Sequence, residues 1–118
     1  MTEPGPDRLH ELPAEFADAL RAPFDHLLTD PVRLRIQAAL VALPAGGSMR
    51  FTTISRTLGI SDGNLGSHLA VLAEVGYVDT EVTWRGKRRT TWYRVTEAGR
   101  EAFERHVAAL RGIVGPPV

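Results

Sequence analysis

Residues 61–76 read SDGNLGSHLAVLAEVG and predict one amphipathic helix. Ser61 is a favourable N-cap, and three leucines follow at the spacing of a single buried stripe. These leucines are Leu65, Leu69 and Leu72. Because successive residues of an α-helix are rotated by about 100°, the opposite side carries small or polar residues. They are Gly63, Ser67, Ala70 and Glu74, with Asn64 and Val71 at the flanks. Nothing bulky prevents the first turns of this helix from approaching another surface.

The segment before this helix predicts a second helix and a turn. Phe51, Ile54 and Leu58 fall at i, i+3 and i+7, and Gly59 is placed to end a helix with a positive φ. A helix, a glycine-containing turn and a helix form the order of a helix-turn-helix, whose second helix inserts its N-terminal end into the major groove of DNA. Residues 62–75 are therefore the candidate recognition helix.

After residue 76 the hydrophobic period changes from helical to alternating. Residues 77–83 and 90–95 alternate β-branched or aromatic residues with polar ones, as half-buried strands do. The alternating positions are Val78, Thr80 and Val82 in the first run and Thr91, Tyr93 and Val95 in the second. Residues 84–89 (WRGKRR) predict a loop that Gly86 can turn. The hairpin at about 77–95 therefore presents four positive charges: Arg85, Lys87, Arg88 and Arg89.

Helices are predicted on both sides of this unit. Residues 9–28 keep helical spacing up to a break at Pro23, because proline interrupts the backbone hydrogen bonds of a helix. The pair Asp30-Pro31 is a strong start for the next helix, which is expected to end near Leu43. Thr96 is placed to cap a last helix.

The whole chain has 118 residues, of which 43% are hydrophobic and 24% charged, as in one soluble globular domain. Residues 1–8 are acidic and contain proline and glycine, so we expect a disordered tail followed by a single domain over residues 9–114. Cysteine is absent, which excludes disulfides and thiolate metal sites. No apolar run has the length of a membrane span and the start does not resemble a signal peptide, so a cytoplasmic location is expected.

The net charge is zero, but the charges are unevenly distributed. Residues 1–30 carry two arginines against seven acidic residues, whereas residues 31–60 carry four arginines and no acidic residue. Residues 61–80 carry three acidic residues and no basic one, and residues 81–100 carry six basic residues against two acidic ones. Two basic blocks therefore flank the candidate recognition helix, which is typical of proteins that bind nucleic acid.

Three stretches together resemble a known family. They are DPVRLRIQAAL at 30–40, FTTISRTLGISDGNLGSHLAVLAEVGYV at 51–78 and RGKRRTTWYRVTEAGREAF at 85–103. Over about residues 28–112 the chain resembles the small winged-helix transcriptional regulators of the ArsR/MarR-like group. The resemblance implies a mainly α fold with a small β-hairpin, namely a winged helix-turn-helix with extra N- and C-terminal helices for dimerisation. It also implies a homodimer that binds double-stranded operator DNA.

By the same resemblance, Asn64, Ser67 and His68 lie where the family contacts DNA, and residues 85–89 form the wing. For His68, a half-buried ring that hydrogen-bonds the scaffold is an open alternative. Relatives commonly carry a basic residue soon after the Ser-His-Leu triplet, where this chain has Ala70, so affinity would come from the flanking basic blocks. The predicted DNA-binding residues are Arg56, Ser61, Asn64, Ser67, His68, Arg85, Lys87, Arg88 and Arg89.

The terminal helices are predicted to form the dimer interface. The residues expected there are Phe16, Leu20, Leu34, Phe103, Val107 and Leu110. Leu34 falls off the apolar stripe of its helix, so it needs a second partner surface, either the N-terminal helix or another subunit. Arg33 and Arg35 are interpreted as ion-pair partners of the acidic N-terminal segment.

These features predict a homodimeric, sequence-specific DNA-binding transcriptional regulator, with repression favoured over activation. Helix 62–75 would read the major groove and wing 85–89 would grip the backbone. The alternative is a winged-helix protein-interaction module without sequence-specific DNA binding, which the lack of basic residues between Arg56 and Arg85 favours. No nucleophile elbow, phosphate-binding glycine loop or zinc-binding histidine pair occurs, so we expect no enzyme, metal or cofactor. An unidentified small-molecule effector between the terminal helices is a partner that the residues leave open, and no membrane partner is expected.

Overall fold

The chain folds into helices around a small antiparallel sheet, and the structure, a computed structural model, describes residues 11–115. In chain order the elements of this range are α1 (Ala14–Arg21), α2 (Pro31–Val41), β1 (Met49–Arg50), α3 (Phe51–Leu58), α4 (Asp62–Glu74), β2 (Val78–Arg85), β3 (Arg88–Val95) and α5 (Glu97–Val114). The predicted tail at residues 1–8 lies outside the described residues. The predicted fold class, a winged helix-turn-helix with additional terminal helices, is confirmed.

Three helices begin at residues whose side chains cap them. Asp30 caps α2 by accepting hydrogen bonds from two backbone N–H groups, at 2.8 and 3.1 Å. Ser61 caps α4 with one bond of 3.2 Å, and Thr96 caps α5 with one of 2.9 Å. A helix leaves its first N–H groups without an internal acceptor, and these side chains supply one. The three predicted helix starts are confirmed.

The turn between α3 and α4 is short and involves a glycine and a serine. Gly59 has a φ of 65°, a left-handed conformation that ends α3. Ser55 Oγ donates to the Ile60 carbonyl at 2.8 Å and lies 3.1 Å from Oδ1 of Asp62. The serine thus ties the end of α3 to the start of α4, and the predicted helix-turn-helix is confirmed.

Helix α4 packs its leucine stripe into the centre of the protein. Leu65, Leu69 and Leu72 are buried. They share one cluster with side chains from the neighbouring elements, namely Leu28, Ile36, Leu40, Ile54, Val78 and Ala102. Burying a leucine side chain stabilises a protein by about 1.5–3 kcal/mol, so this stripe determines which face of α4 points outward.

The sheet has the strand order β1–β3–β2 and is antiparallel. In the register of the hairpin, Val78, Thr80 and Val82 lie opposite Val95, Tyr93 and Thr91. Directly opposite residues of an antiparallel pair lie on the same face, so the two predicted alternating sets share one face of the hairpin. This face covers the core at the end where Val78 is buried.

The prediction of a six-residue loop at residues 84–89 is wrong. Residues 84–85 pair with residues 88–89, so the strands continue to a two-residue turn at Gly86 and Lys87. A type II′ turn requires a positive φ at its first central residue but not at its second. Gly86 has a φ of 63°, and Lys87 does not have a positive φ, because only glycines do in the described range. A single glycine therefore reverses the chain, and the backbone pairing of the strands includes the arginines beside it.

Helices α1 and α5 pack closely at small residues, since a Cβ placed on Gly112 would lie 3.1 Å from Cβ of Ala19. Helix α1 begins after Pro13, not at residue 9 as predicted; residues 9 and 10 lie outside the described range, and residues 11–13 are not helical. The extended conformation of Pro13, with a ψ of 143°, separates these residues from the helix. The predicted break at Pro23 is confirmed, because α1 ends at Arg21.

Asp25, between α1 and α2, links three parts of the fold. Its backbone N–H donates to Nδ1 of His106 on α5 at 3.1 Å, and its carboxylate accepts from the Tyr77 hydroxyl beside β2 at 2.6 Å. Burial raises the pKa of Asp25, but the Tyr77 hydroxyl and the backbone N–H groups of Leu27 and Leu28 hold this pKa below its ordinary value. The same hydrogen bond raises the pKa of Tyr77. The His106 ring that accepts one of these hydrogen bonds is buried.

Candidate nucleic-acid interface

The exposed face of α4 is small and polar at its N-terminal end. Gly63, Asn64, Ser67 and Ala70 are all exposed. A Cβ placed on Gly63 would meet no atom within 4 Å, so the space in front of the first turn is open. These turns can therefore approach another surface without a steric obstacle from this chain.

Three of the predicted DNA-contacting residues on this face have hydrogen-bonding capacity left over. Ser61 Oγ accepts the capping bond and still has its own hydrogen to donate. Ser67 Oγ donates to the Asn64 carbonyl at 3.0 Å and can still accept. The side-chain amide of Asn64 makes no hydrogen bond within residues 11–115. A free amide both donates and accepts, as the edges of base pairs require.

His68, the fourth predicted residue on this helix, is half-buried against the start of α2. Its Nδ1 lies 3.1 Å from a guanidinium nitrogen of Arg33, and its Nε2 lies 3.9 Å from Oδ1 of Asp30. Arg33 also donates from Nε to the Leu27 carbonyl at 2.6 Å. Burial raises the pKa of Asp30, but two backbone N–H groups and the charges of His68 and Arg33 hold it below its ordinary value. The geometry favours the scaffold alternative, in which this ring positions α4 on α2.

Two further arginines are exposed near the helix-turn-helix. Arg56 lies in the last turn of α3, next to the turn that leads into α4. Arg35 lies on α2, and its predicted ion pair with the acidic N-terminal segment is not present within residues 11–115. Arg56 likewise forms no ion pair in that range, so its charge is available to a partner.

We call Arg85, Lys87, Arg88 and Arg89 the wing tip. All four are exposed, and none forms an ion pair in the part of the chain that the structure describes. The strand register places Arg85 and Arg88 on one face of the hairpin and Arg89 on the other, beside Trp84, which is 65% exposed. Within that part of the chain the positive charge of the tip is therefore uncompensated, and it faces two directions.

A cleft of about 400 Å³ separates the start of α3 from the tip half of β3. We call it the arginine cleft, because Arg50, Arg88 and Arg89 line it together with Phe51, Thr52, Thr90 and Thr91. The guanidinium of Arg50 lies 5.8 Å from the centre of the Trp92 ring, within range of a cation–π interaction. From the sequence, Arg50 was only one charge of a basic block. No sequence signal places it beside the wing, because the pairing of β1 with β3 joins residues far apart in the chain.

The predicted dimer residues lie on α1, α2 and α5. Leu20 is 51% exposed, and Phe16, Val107 and Leu110 are half-buried. Leu34 and Phe103 are also half-buried, and each packs against the core of its own chain. Three large apolar side chains that the sequence did not single out are exposed in the same part of the molecule: Leu12, Phe24 and Val114.

An apolar groove of about 460 Å³ runs between α1 and α5. Its walls are Ala19, Ala22, Pro23, Ala108, Ala109, Gly112 and the side chain of Arg105. Small side chains on both helices leave this space, which lies within the size range of small-molecule sites.

The described residues contain no cluster of three or more histidine, aspartate or glutamate side chains that could hold a metal ion. Within the same range no helix is long and apolar enough to cross a membrane.

Comparisons with known proteins agree with this geometry. A family model described as a winged helix DNA-binding domain matches residues 32–114, which include α3, α4 and the hairpin. An uncharacterized protein from Methanocaldococcus jannaschii is 34% identical over 76 residues, which make up 64% of this chain and 79% of that protein.

Two solved structures are similar over most of their length. The transcriptional regulator homologue from Pyrococcus horikoshii OT3 has a TM-score of 0.68 and 29% identity, and the match covers 85% of this chain and 93% of that one. The transcriptional repressor BigR from Xylella fastidiosa has a TM-score of 0.53 and 30% identity, and the match covers 85% and 83%.

Proposed function

The chain belongs to the winged helix DNA-binding domain family, and on that premise we propose that it is a homodimeric, sequence-specific transcriptional repressor. Its family and fold are those of transcriptional regulators, and the predicted resemblance to the ArsR/MarR-like group is confirmed. In this proposal α4 reads the major groove and the wing tip binds the flanking backbone. No catalytic activity is part of the proposal.

The observation that carries this proposal is an open polar face on α4 with uncompensated positive charge on either side. Asn64 and Ser67 supply groups that can hydrogen-bond base edges. Helix α4 carries no lysine or arginine, so the phosphate contacts fall to Arg56 and the wing tip. Such a division of labour is usual, because phosphate contacts orient a protein on DNA and base contacts select the sequence.

Dimerisation is proposed through α1 and α5. The exposed Leu20 and Val114, with Phe24 nearby, supply apolar surface that a second copy would cover. Two copies of α4 would then enter successive major grooves, about 34–36 Å apart. The similarity to BigR, a transcriptional repressor, supports repression as the mode of regulation.

The apolar groove between α1 and α5 is where a small-molecule effector would bind in this proposal. The groove lies between the two helices proposed to form the dimer. An apolar ligand there would alter how α1 packs on α5, and with it the spacing of the two recognition helices.

A second candidate function is a protein-interaction module without sequence-specific DNA binding. It is favoured by the composition of α4, which contains the acidic residues Asp62 and Glu74 but no lysine or arginine. The uncompensated wing tip opposes it, because such a charge cluster suits phosphate better than a protein surface.

The experiment that tests the proposal neutralises the wing tip. The combined variant Arg85→Gln, Lys87→Gln, Arg88→Gln and Arg89→Gln is compared with the wild type by fluorescence anisotropy, on DNA from upstream of its own gene and on a scrambled duplex, at two salt concentrations. The variant is expected to lose about a hundredfold or more in affinity, and its salt slope should fall by about 0.9 for each phosphate contact removed. Its free energy of unfolding should change by less than about 0.5 kcal/mol, because the tip is exposed.

A matched variant, Asn64→Ala with Ser67→Ala, separates base contacts from phosphate contacts. It should remove the preference for the upstream duplex and leave the salt slope unchanged. Equal weak binding of the wild type to both duplexes would favour the interaction module. No binding to either duplex at low salt would contradict the proposed function.

A further inference from the structure

The arginine cleft lies along an unpaired strand edge. Strand β1 has only two residues, and they pair with Tyr93 and Trp92. Residues 88–91 of β3 therefore have β2 on one side and the cleft on the other. Backbone N–H and C=O groups on such an edge have no partner strand and remain available to a ligand.

The opposite wall of the cleft is the start of α3. Arg50 stands at the N-cap position of this helix, but its side chain makes no capping hydrogen bond. In α2, α4 and α5 a side chain at the same position does so. The first N–H groups of α3 therefore have no capping side-chain acceptor, and its first two residues, Phe51 and Thr52, line the cleft at the positive end of the helix dipole.

The three guanidinium groups of the cleft have no acidic partner among the described residues. Neither Arg50, Arg88 nor Arg89 forms an ion pair within residues 11–115. The Arg50 guanidinium is held over the Trp92 ring, and Trp92 is held by a 2.8 Å hydrogen bond from its Nε1 to Thr83 Oγ1. The positive charge is therefore placed before any ligand arrives, and an anion would relieve the repulsion between the arginines.

We propose that the arginine cleft binds one backbone phosphate of DNA, with Arg50 as its central contact. This inference rests on the proposed function and adds to it Arg50, which belongs neither to α4 nor to the wing tip, while Arg88 and Arg89 of the wing tip line the same cleft. Guanidinium groups, backbone N–H groups and threonine hydroxyls all donate hydrogen bonds, as a phosphodiester requires. The cleft also lies between α3 and the wing, so a DNA strand that contacts both elements passes over it.

The test is the substitution Arg50→Gln, read through the salt dependence of DNA binding. A lost phosphate contact should lower the log–log salt slope by about 0.9 per cleft, or about twice that for a dimer that uses both. Affinity should fall by about tenfold on the preferred and on the scrambled duplex alike, because a phosphate carries no sequence information. Arg50→Lys should keep the slope of the wild type, since it keeps the charge.

Arg94→Gln is the matched control. Arg94 lies on the same strand as Arg88, but it pairs with Asp79 at the other end of the hairpin. Its removal should leave the salt slope unchanged. Urea unfolding of each variant checks that the fold is kept.

Duplexes with a single uncharged methylphosphonate linkage locate the contact. At one position, the methylphosphonate should lower the affinity of the wild type for the duplex by about tenfold. The same duplex should bind the Arg50→Gln variant as well as the unmodified duplex does, because that variant has already lost the contact. If every position weakens the two proteins equally, the proposal is overturned while the proposed function stands. If the wild type binds no DNA, both are overturned.

A free phosphate compound is the other source of the same chemistry. Thermal unfolding without DNA, in sodium phosphate against sodium chloride of equal ionic strength, separates the two. The cleft would be assigned to a free phosphate if phosphate stabilises the wild type but not the Arg50→Gln variant, and if both proteins have the same salt slope in DNA binding. This result would overturn the DNA contact.

Discussion

The two ends of the wing hairpin use the same strands but different interactions. We call residues 76–79 and 94–96 the root of the hairpin. At the root, Val78 is buried and Arg94 pairs with Asp79 at 3.9 Å. Thr96, just after β3, donates from Oγ1 to the Gly76 carbonyl at 2.5 Å. At the tip the side chains are exposed and the positive charges have no acidic partner within the described range.

The difference between root and tip arises from what covers them. The strand pairing is continuous from Val78 to Arg85, so backbone pairing alone does not distinguish the two ends. The root lies against the first turn of α5, where Gly99 meets Tyr77, and beside the core, where contacts stabilise the fold. The tip extends beyond the core, so its side chains add little stability and are available to a partner. Substitutions at the root should therefore change stability, and substitutions at the tip should change binding.

The largest expected effect belongs to Gly99→Ala at the root. A Cβ at this position would lie 2.1 Å from the Tyr77 carbonyl oxygen, so the backbone of α5 or of the root has to move. We expect the free energy of unfolding to fall by about 3 kcal/mol, measured by urea denaturation. The matched control is Gly63→Ala, where a Cβ meets nothing within 4 Å and helix propensity should raise stability by up to about 1 kcal/mol. Similar results for both variants would mean that the close approach of α5 to the root does not matter.

A smaller effect is expected for Tyr77→Phe, which removes the hydrogen bond to Asp25. The pKa of Asp25 is lowered in the folded protein, so this carboxylate stabilises the fold above its unfolded pKa of about 4, and that contribution is lost as the pH falls through the folded pKa. The substitution should lower the free energy of unfolding by about 1 kcal/mol at neutral pH. The difference in free energy of unfolding between variant and wild type should begin to narrow below about pH 4 and shrink further as the pH falls through the lowered pKa of Asp25, where the folded carboxylate becomes protonated. Urea denaturation from neutral to acid pH measures this difference in free energy of unfolding. A difference that stays constant over that range would contradict a stabilising hydrogen bond between Tyr77 and the ionised Asp25.

The smallest effect on stability is expected at the tip, for Gly86→Ala. Its φ of 63° at the first central position of the turn strains an alanine by about 1–3 kcal/mol, but no atom lies within 4 Å of the new methyl group. Because the exposed tip can fray without opening the core, the global free energy of unfolding should fall by less than about 1 kcal/mol. Amide hydrogen exchange at Arg85 and Arg88 should become faster, while exchange at Val78 stays unchanged. Faster exchange at the root as well would show that the two ends are not independent.

Much of the candidate interface follows from local sequence. The leucine stripe of α4 predicted which face is buried, and therefore that Asn64 and Ser67 are exposed. The position of His68 was open, because helical geometry alone does not show which element packs against its ring. The structure shows Arg33 and Asp30 beside it, and these come from α2 and its cap. Their proximity depends on how α2 and α4 pack, which no local pattern encodes.

The sequence by itself determined the elements and their order, because caps, apolar periods and Gly59 act through residues only a few positions apart. Only the tertiary structure decided that the wing ends in a two-residue turn, that Arg50 joins the wing arginines in one cleft, and that Asp25 connects Tyr77 with His106. The first depends on the pairing register of β2 and β3, and the other two depend on packing between segments that lie far apart in the chain. These arrangements are set by the burial of one shared core, and each segment of the sequence contains only part of that core.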